Sequence, residues 1–394
     1  MSSQRRLIWI GLAYAAQGLG YATLVTALPM FKSRQDIGDG FVSVILLLIC
    51  VAAAGGSALA DLAAARWGSR YALAGGLLTV AAGLGLSAFP TPIVLFTAGL
   101  VAYGLGLGAV DASLSMQGVL VQARLGRSVM SRLFAAYTAA AIAAALLMSG
   151  FVASGAGAAV VVGVASLFAL LTALAGWSSY EPARTVLPGH EGRRAGSRHV
   201  VMVCGALIFT AFLADSAVST WSSVYLHDTL DATDAAAPLG YVAYQVAVLT
   251  SRMAGDHLVP RLGRVRAGAA CLVVCVLGCG LVAAVPTVGV AVTGFALTGL
   301  GVGILVPLAF SAAGEATQGY SDEVIARVNL FNYGGALLGA VVLGALSGPV
   351  GLRAAFVVPV VALVLTLPVV RALGRLRSGD VGGAGSDVTP VLPR

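Results

Sequence analysis

Apolar and polar positions along this chain alternate in long blocks rather than at short period. A helix crosses a bilayer with ~20 predominantly apolar residues. Runs of that length, rich in Ala, Val, Leu and Gly, occupy 7–30, 41–62, 71–89, 93–121, 130–152, 158–177, 200–226, 239–258, 267–285, 288–312, 328–348 and 354–373. Backbone polar groups in lipid must be satisfied within the span, and these runs are far too long for barrel strands, so helices are expected. The longest polar break, Ser178 to His199, holds Pro182, Pro188, Gly189 and several Arg, a composition suited to a linker. The chain therefore reads as an all-α membrane protein of twelve transmembrane helices in two six-helix bundles. Their bounds are 1–177 and 200–374, with a linker at 178–199 and a Gly-rich tail at 375–394.

Composition agrees with that reading. Charged residues make up 10% of the chain, against roughly 25% in a soluble domain. The basic residues then set an orientation. With the N-terminus inside, every Arg falls on the inner side except Arg34 and Arg353, while Lys32 joins those two outside. Asp36, Asp39, Asp228, Asp231 and Asp234 also fall outside. Both termini and the linker are thus expected in the cytoplasm, with the protein multi-pass in the cytoplasmic (inner) membrane. The net charge of +7 follows from topology and needs no nucleic-acid partner. Arg greatly outnumbers Lys, as in proteins from GC-rich bacterial genomes. The run after Arg5 and Arg6 is too long for a signal peptide and contains Gln17 and Tyr21, so it reads as the first span.

One charged pattern occurs twice. Asp61 is followed five positions on by Arg66 and seven on by Gly68; Asp256 is followed at the same spacings by Arg261 and Gly263, 195 residues later (61 to 256). Arg70 and Arg264 lie just beyond. Repeats of this sort are typical of transporters built from two related halves. Each copy falls between two spans on the inner side. An acid there can accept bonds from a helix N-terminus, and an Arg can hold a helix C-terminus. Asp61, Arg66, Arg70, Asp256, Arg261 and Arg264 are therefore the expected cytoplasmic gate, the plain alternative being two basic turns that end in Gly.

Catalytic signatures are missing. Lys32 follows Phe31 rather than Gly, which excludes a P-loop, and neither H-E-x-x-H nor G-x-S-x-G occurs. Neither an enzyme nor a primary pump is expected, and no cofactor. Cys271, Cys275 and Cys279 repeat every four residues with no His or acid beside them, so they read as packing and not as a metal site.

The duplicated loops resemble the signature of the major facilitator superfamily, G-x-L-x-D-x-x-G-R-R, stretched here as Gly56…Leu59-Ala60-Asp61…Arg66-Trp67-Gly68-Ser69-Arg70. Asp111-Ala112-Ser113-Leu114-Ser115-Met116-Gln117-Gly118-Val119 is similar to D-V-A-M-N-x-Q-G-V in the fourth span of its fucose-permease-like branch. Asp215…Trp221-Ser222-Ser223-Val224-Tyr225-Leu226, then Gly240-Tyr241 and Arg252-Met253-Ala254-Gly255-Asp256, is similar to that branch's later motifs. The resemblance covers nearly the whole chain. It implies two bundles related by a pseudo-twofold axis, alternating access, and a cavity lined by the first, fourth, seventh and tenth spans. Departures fall where substrate would be read. Ser115 replaces the branch's Asn, Gln122 a Glu, Phe134 a His, Thr220 an acid and Asp215 a Glu. The Gly-Pro motif of drug–proton antiporters is missing from 139–150.

Two carboxylates remain deep inside spans. Asp111 precedes Arg124 by 13 residues, about 20 Å at helical rise, and Asp215 lies about 15 residues into the seventh span. Ionisable groups at such depth are costly and read as functional. Each is a candidate for proton coupling or substrate binding, with a structural pair to Arg132 as the alternative for Asp111. Tyr14, Gln17, Tyr21, Ser115, Ser219, Tyr244, Gln245 and Asn332 are the cavity candidates, against a plainer role in interhelical hydrogen bonds. The expected function is secondary active transport of a small organic solute by a monomer, as symport or antiport, with the solute, protons and the bilayer as partners. Import follows from the resemblance and efflux of a drug or natural product from the lost polar groups. A non-transporting sensor would need a signalling domain, which this sequence lacks.

Overall fold

The computed structural model describes residues 3–125, 129–181, 197–316, 321–374 and 376. Most of the expected linker and nearly all of the tail lie outside them. The described residues are helical with no strand. α1 (Ser3–Thr26) yields at Ala27 to a short α2 (Leu28–Gln35), because Pro29 has no N–H to continue the helical ladder. The first half continues with α3 (Asp39–Trp67), α4 (Ser69–Ala88), α5 (Ile93–Leu125), α6 (Met130–Ala153) and α7 (Ala158–Gly176). The second comprises α8 (Ser197–Val224) with a π-helical turn at Tyr225–Thr229, α9 (Leu239–Leu262), α10 (Arg264–Ala284), α11 (Val288–Ala316) and α12 (Ser321–Val350). The last expected span is broken into α13 (Leu352–Ala355), α14 (Val357–Thr366) and α15 (Val370–Leu373). Pro359 stands just after the first break and Pro368 within the second.

Ten of these helices are long and apolar enough to cross a membrane. The two remaining spans fall short for different reasons. α9 has the length, but Tyr241, Tyr244, Gln245, Ser251 and Arg252 dilute its apolar character. The α13–α15 segment has the apolarity but is interrupted. Within the first half α4 packs on α5 and α7, α3 on α5, and α1 on α6; within the second α12 packs on α8, and α11 on α9 and α10.

The 195-residue repeat reaches well beyond the charged loops. A Cβ on Gly104 or Gly108 of α5 would collide with the backbone of Ile49 or Ala53 in α3; one on Gly299 or Gly303 of α11 would collide with that of Tyr244 or Val248 in α9. These pairs map onto one another at the same offset, as do the close approaches Gly83–Gly99 and Gly278–Gly294. Small residues let helices touch backbone to backbone where lipid gives no hydrophobic drive to associate. The turn glycines match too. Gly68 (φ 104°, ψ 151°) alone joins α3 to α4, and Gly263 (φ 76°, ψ 152°) alone joins α9 to α10, a conformation that a Cβ disfavours. Their N–H groups donate to Ala64 and Val259 carbonyls at 2.9 and 3.0 Å.

The two ends of the molecule differ. The terminal face carries the start of α1 and the Gly68 and Gly263 turns; the opposite face carries α2 and the π turn. Towards the opposite face one continuous buried cluster spans both halves, from Ile45, Phe96 and Tyr103 to Trp221, Tyr225, Tyr241 and Phe295. Towards the terminal face the core of the second half stands apart, built on Val200, Cys204, Leu207, Cys271, Leu305 and Ala309. The halves meet through α3–α12, α6–α9, α1–α8 and α2–α8.

Candidate functional site

Both deep carboxylates meet a neutral donor from a neighbouring helix. Gln17 Nε2 of α1 donates to Asp111 Oδ1 of α5 at 3.0 Å, and Asp111 is exposed. Arg132 does not pair with it, so the structural alternative for Asp111 is not realised. Ser115 turns its hydroxyl back to the Asp111 carbonyl at 3.1 Å. Tyr14 packs edge-on against Phe134 and donates to the Leu114 carbonyl at 3.3 Å. In the second half the Tyr244 hydroxyl of α9 donates to the half-buried Asp215 of α8. Gln245 Nε2 donates to the Tyr241 hydroxyl at 2.6 Å. Tyr21 is half-buried near Thr220 and Asp215. Ser219 is buried, and Asn332 of α12 is half-buried and bonded. Tyr14 and Gln17 of α1 and Ser115 of α5 therefore gather around Asp111, whereas Tyr21 of α1 joins the candidates of α9 near Asp215.

Gln117 belongs elsewhere, although it sits in the same motif as Asp111. It is buried near the terminal face, donating to the Ser69 hydroxyl at 2.8 Å and the Glu181 carbonyl at 2.9 Å, and accepting from the Glu181 N–H at 2.7 Å. The Glu181 carboxylate in turn pairs with Arg6 at 2.5 Å. Residues 178–181 of the expected linker thus belong to the first bundle. Charge pairing satisfies an acid that would otherwise be costly to bury.

Among the described residues, Asp61, Arg66, Arg70 and Arg261 make no ion pair across the halves. Asp61 forms no ion pair among the described residues. Arg66 lies over the Trp67 ring (5.4 Å), and Arg70 over Tyr71 and Trp177 (5.0 and 5.2 Å). Arg261 is exposed and Arg264 half-buried with a bonded partner. The side chain of Asp256 lies outside the described residues.

The charged link between the halves is on the opposite face, where sequence reasoning sought no gate. Lys32 of α2, the only lysine, pairs with Asp39 in its own half and with Asp228 of the π turn in the other. His227 lies against Asp228 and, at 2.8 Å, Asp234. Burial alone would lower the Lys32 pKa, but hydrogen bonds and charge from Asp228 and Asp39 raise it overall. Ser149 of α6 donates to the Ala235 carbonyl at 2.6 Å, a second link across the same face. The other two outward basic residues close helix ends. Arg34 donates to the Ser87 and Ala88 carbonyls at the end of α4 (2.6 and 3.2 Å), and Arg353 donates to Ala283 and Ala284 at the end of α10. The ends of α4 and α10 are equivalent positions in the repeat, reached by Arg from different parts of each half, and cations suit helix C-termini.

Comparison with known proteins places this architecture. The profile of the Major Facilitator Superfamily matches residues 10–321 and 204–386, and the chain belongs to that superfamily. An uncharacterized MFS-type transporter of Yersinia pestis is 27% identical over 348 residues, 88% of this chain and 90% of that protein. Among solved structures, a POT family transporter in complex with a thioalcohol-conjugated peptide superimposes with a TM-score of 0.75 at 14% identity, covering 94% of this chain and 96% of that one. The MFS transporter FucP in the outward conformation superimposes at 0.61 with 17% identity, covering 93% and 98%.

Proposed function

We propose that this multi-pass membrane transporter carries a small organic solute by alternating access between two bundles, 1–181 and 197–374, joined by the linker between them and followed by the tail 375–394. One observation carries the reading: a continuous core and the Lys32–Asp228 pair join the halves on one face, while Asp111 and Ser115, deep in the apolar α5, are exposed. The asymmetric distribution of Arg supports a cytoplasmic terminal face, both termini inside the inner membrane, and hence an inward-open conformation. Asp61, Arg66, Arg70, Asp256, Arg261 and Arg264 then close that face in the opposite state. Asp215 and Asp111 couple transport to protons. The protein works as a monomer, a carrier and not an enzyme.

Counterflow in proteoliposomes, against a panel of sugars, amines and drugs, tests the carrier reading; no exchange of any of them would overturn it. An imposed pH gradient tests the coupling. Proton dependence is expected to disappear in Asp215→Asn, in Asp111→Asn or in both, and its full retention in the two variants would remove the coupling role.

A further inference from the structure

We infer that the site binds an organic ammonium ion, with Asp215 as counter-charge and tyrosines packed around it; this rests on the carrier reading and adds a substrate class to it. The hydroxyls of Tyr21 (α1), Tyr137 (α6), Tyr241 and Tyr244 (α9) all lie within the electrostatic field of the Asp215 carboxylate. Tyr103 of α5 lies in the same group, beside Tyr21, Tyr137 and Tyr241. The five tyrosines come from both halves; four of them feel the Asp215 charge, and Tyr244 bonds to it directly. The Tyr103 hydroxyl is buried and has no hydrogen-bond partner.

The polar balance of this group selects the ligand. An ionised carboxylate accepts at about four lone-pair positions, and Asp215 receives one hydrogen bond, from Tyr244. Asp111 likewise receives one, from Gln17. The ligand that completes them must bring donors and positive charge, since burying carboxylates without a counter-charge is costly. Among the described residues, Arg252 is the basic side chain whose field reaches Asp215. It lies eight residues beyond Tyr244 in α9, about 12 Å at helical rise, and it forms no ion pair with Asp215. An ammonium group fits that gap: its N–H or polarised methyl groups meet carboxylate and hydroxyl oxygens, and aromatic rings attract cations.

Titration calorimetry on the purified full chain tests this with benzyltrimethylammonium and tetramethylammonium, neopentylbenzene as uncharged isostere, phenylacetate as anion and sorbitol as neutral polyol. At least one ammonium is expected to bind and the isostere not to. Asp215→Asn should weaken that binding about tenfold or more, Asp215→Glu should retain most of it, and Arg252→Gln should tighten it about two- to fivefold. Tyr244→Phe provides a second reading should Asp215→Asn fold poorly, and should weaken binding too. No ammonium binding, equal binding of the isostere, or indifference to both Asp215→Asn and Tyr244→Phe would overturn the inference. Counterflow separates it from the carrier reading. Exchange of a sugar without ammonium binding would sink the cation site alone, whereas ammonium binding with no exchange of any solute would support the site and sink the carrier.

Discussion

α3 and α9 occupy the same place in the two halves of the repeat and present different chemistry. Where α9 has Tyr241, Tyr244, Gln245 and Ser251, α3 has Leu46, Ile49, Cys50 and Gly56 at the same offset. The glycines of the facing helices are nevertheless matched pair for pair. Backbone-to-backbone contacts tolerate no side chain, so they hold both halves to one packing plan. The other positions of these helices are under no such restraint, and there the second half has gathered hydroxyls and an amide, with Tyr244 bonded to Asp215. The duplicated scaffold and the unduplicated site are therefore separate properties of the same helices.

The comparison can be broken most severely at the glycines. Gly108→Val and Gly303→Val should each cost about 3 kcal/mol or more through overpacking, read as thermal unfolding and yield in detergent. Loss from one variant alone would end the equivalence of the halves. Next in size, Asp215→Asn should slow transport roughly thirtyfold, or about 2 kcal/mol for a hydrogen-bonded charge. Asp111→Asn, measured in the same proteoliposomes, should cost less if the site belongs mainly to the second half. Tyr244→Ile copies the residue of α3 into α9 and should lower transport about fivefold by removing the donor to Asp215; an unchanged rate would show that the divergence of α9 is idle.

The smallest effect concerns the opposite face. Lys32→Gln should shift the balance of states by about 1 kcal/mol, seen as increased labelling of a cysteine introduced at Ser43. The raised Lys32 pKa gives this pair a pH signature with a definite sign. Its stabilisation is complete below the ordinary lysine value of about 10.4 and falls away only as pH rises through the higher value of the closed state. Labelling should accordingly be insensitive to the lysine's titration near neutral pH and increase in strong alkali.

Much of this was legible from the sequence. Long apolar runs mark helices by themselves, and a repeat at fixed offset marks two halves. Deep Asp111 and Asp215 stand out because charge is so rare in the spans. The breaks at Ala27 and Phe356 were missed because apolarity continues straight through them, although Pro29 and Pro359 were local signals. The Lys32–Asp228 link was missed for another reason. It joins residues 196 apart, and no periodicity connects a short helix after the first span to a turn after the seventh. Gln117 was legible as a motif residue but not as a buried anchor for Glu181, since that depends on how the end of α7 folds back.

The one-residue joints at Gly68 and Gly263 leave no slack between consecutive helices. The two torsions of a single glycine are all the freedom each joint has, so a tilt of α3 is passed on to α4, and one of α9 to α10, at that point. A rearrangement that exposes the site to the other side is then shared by helix pairs rather than by single helices.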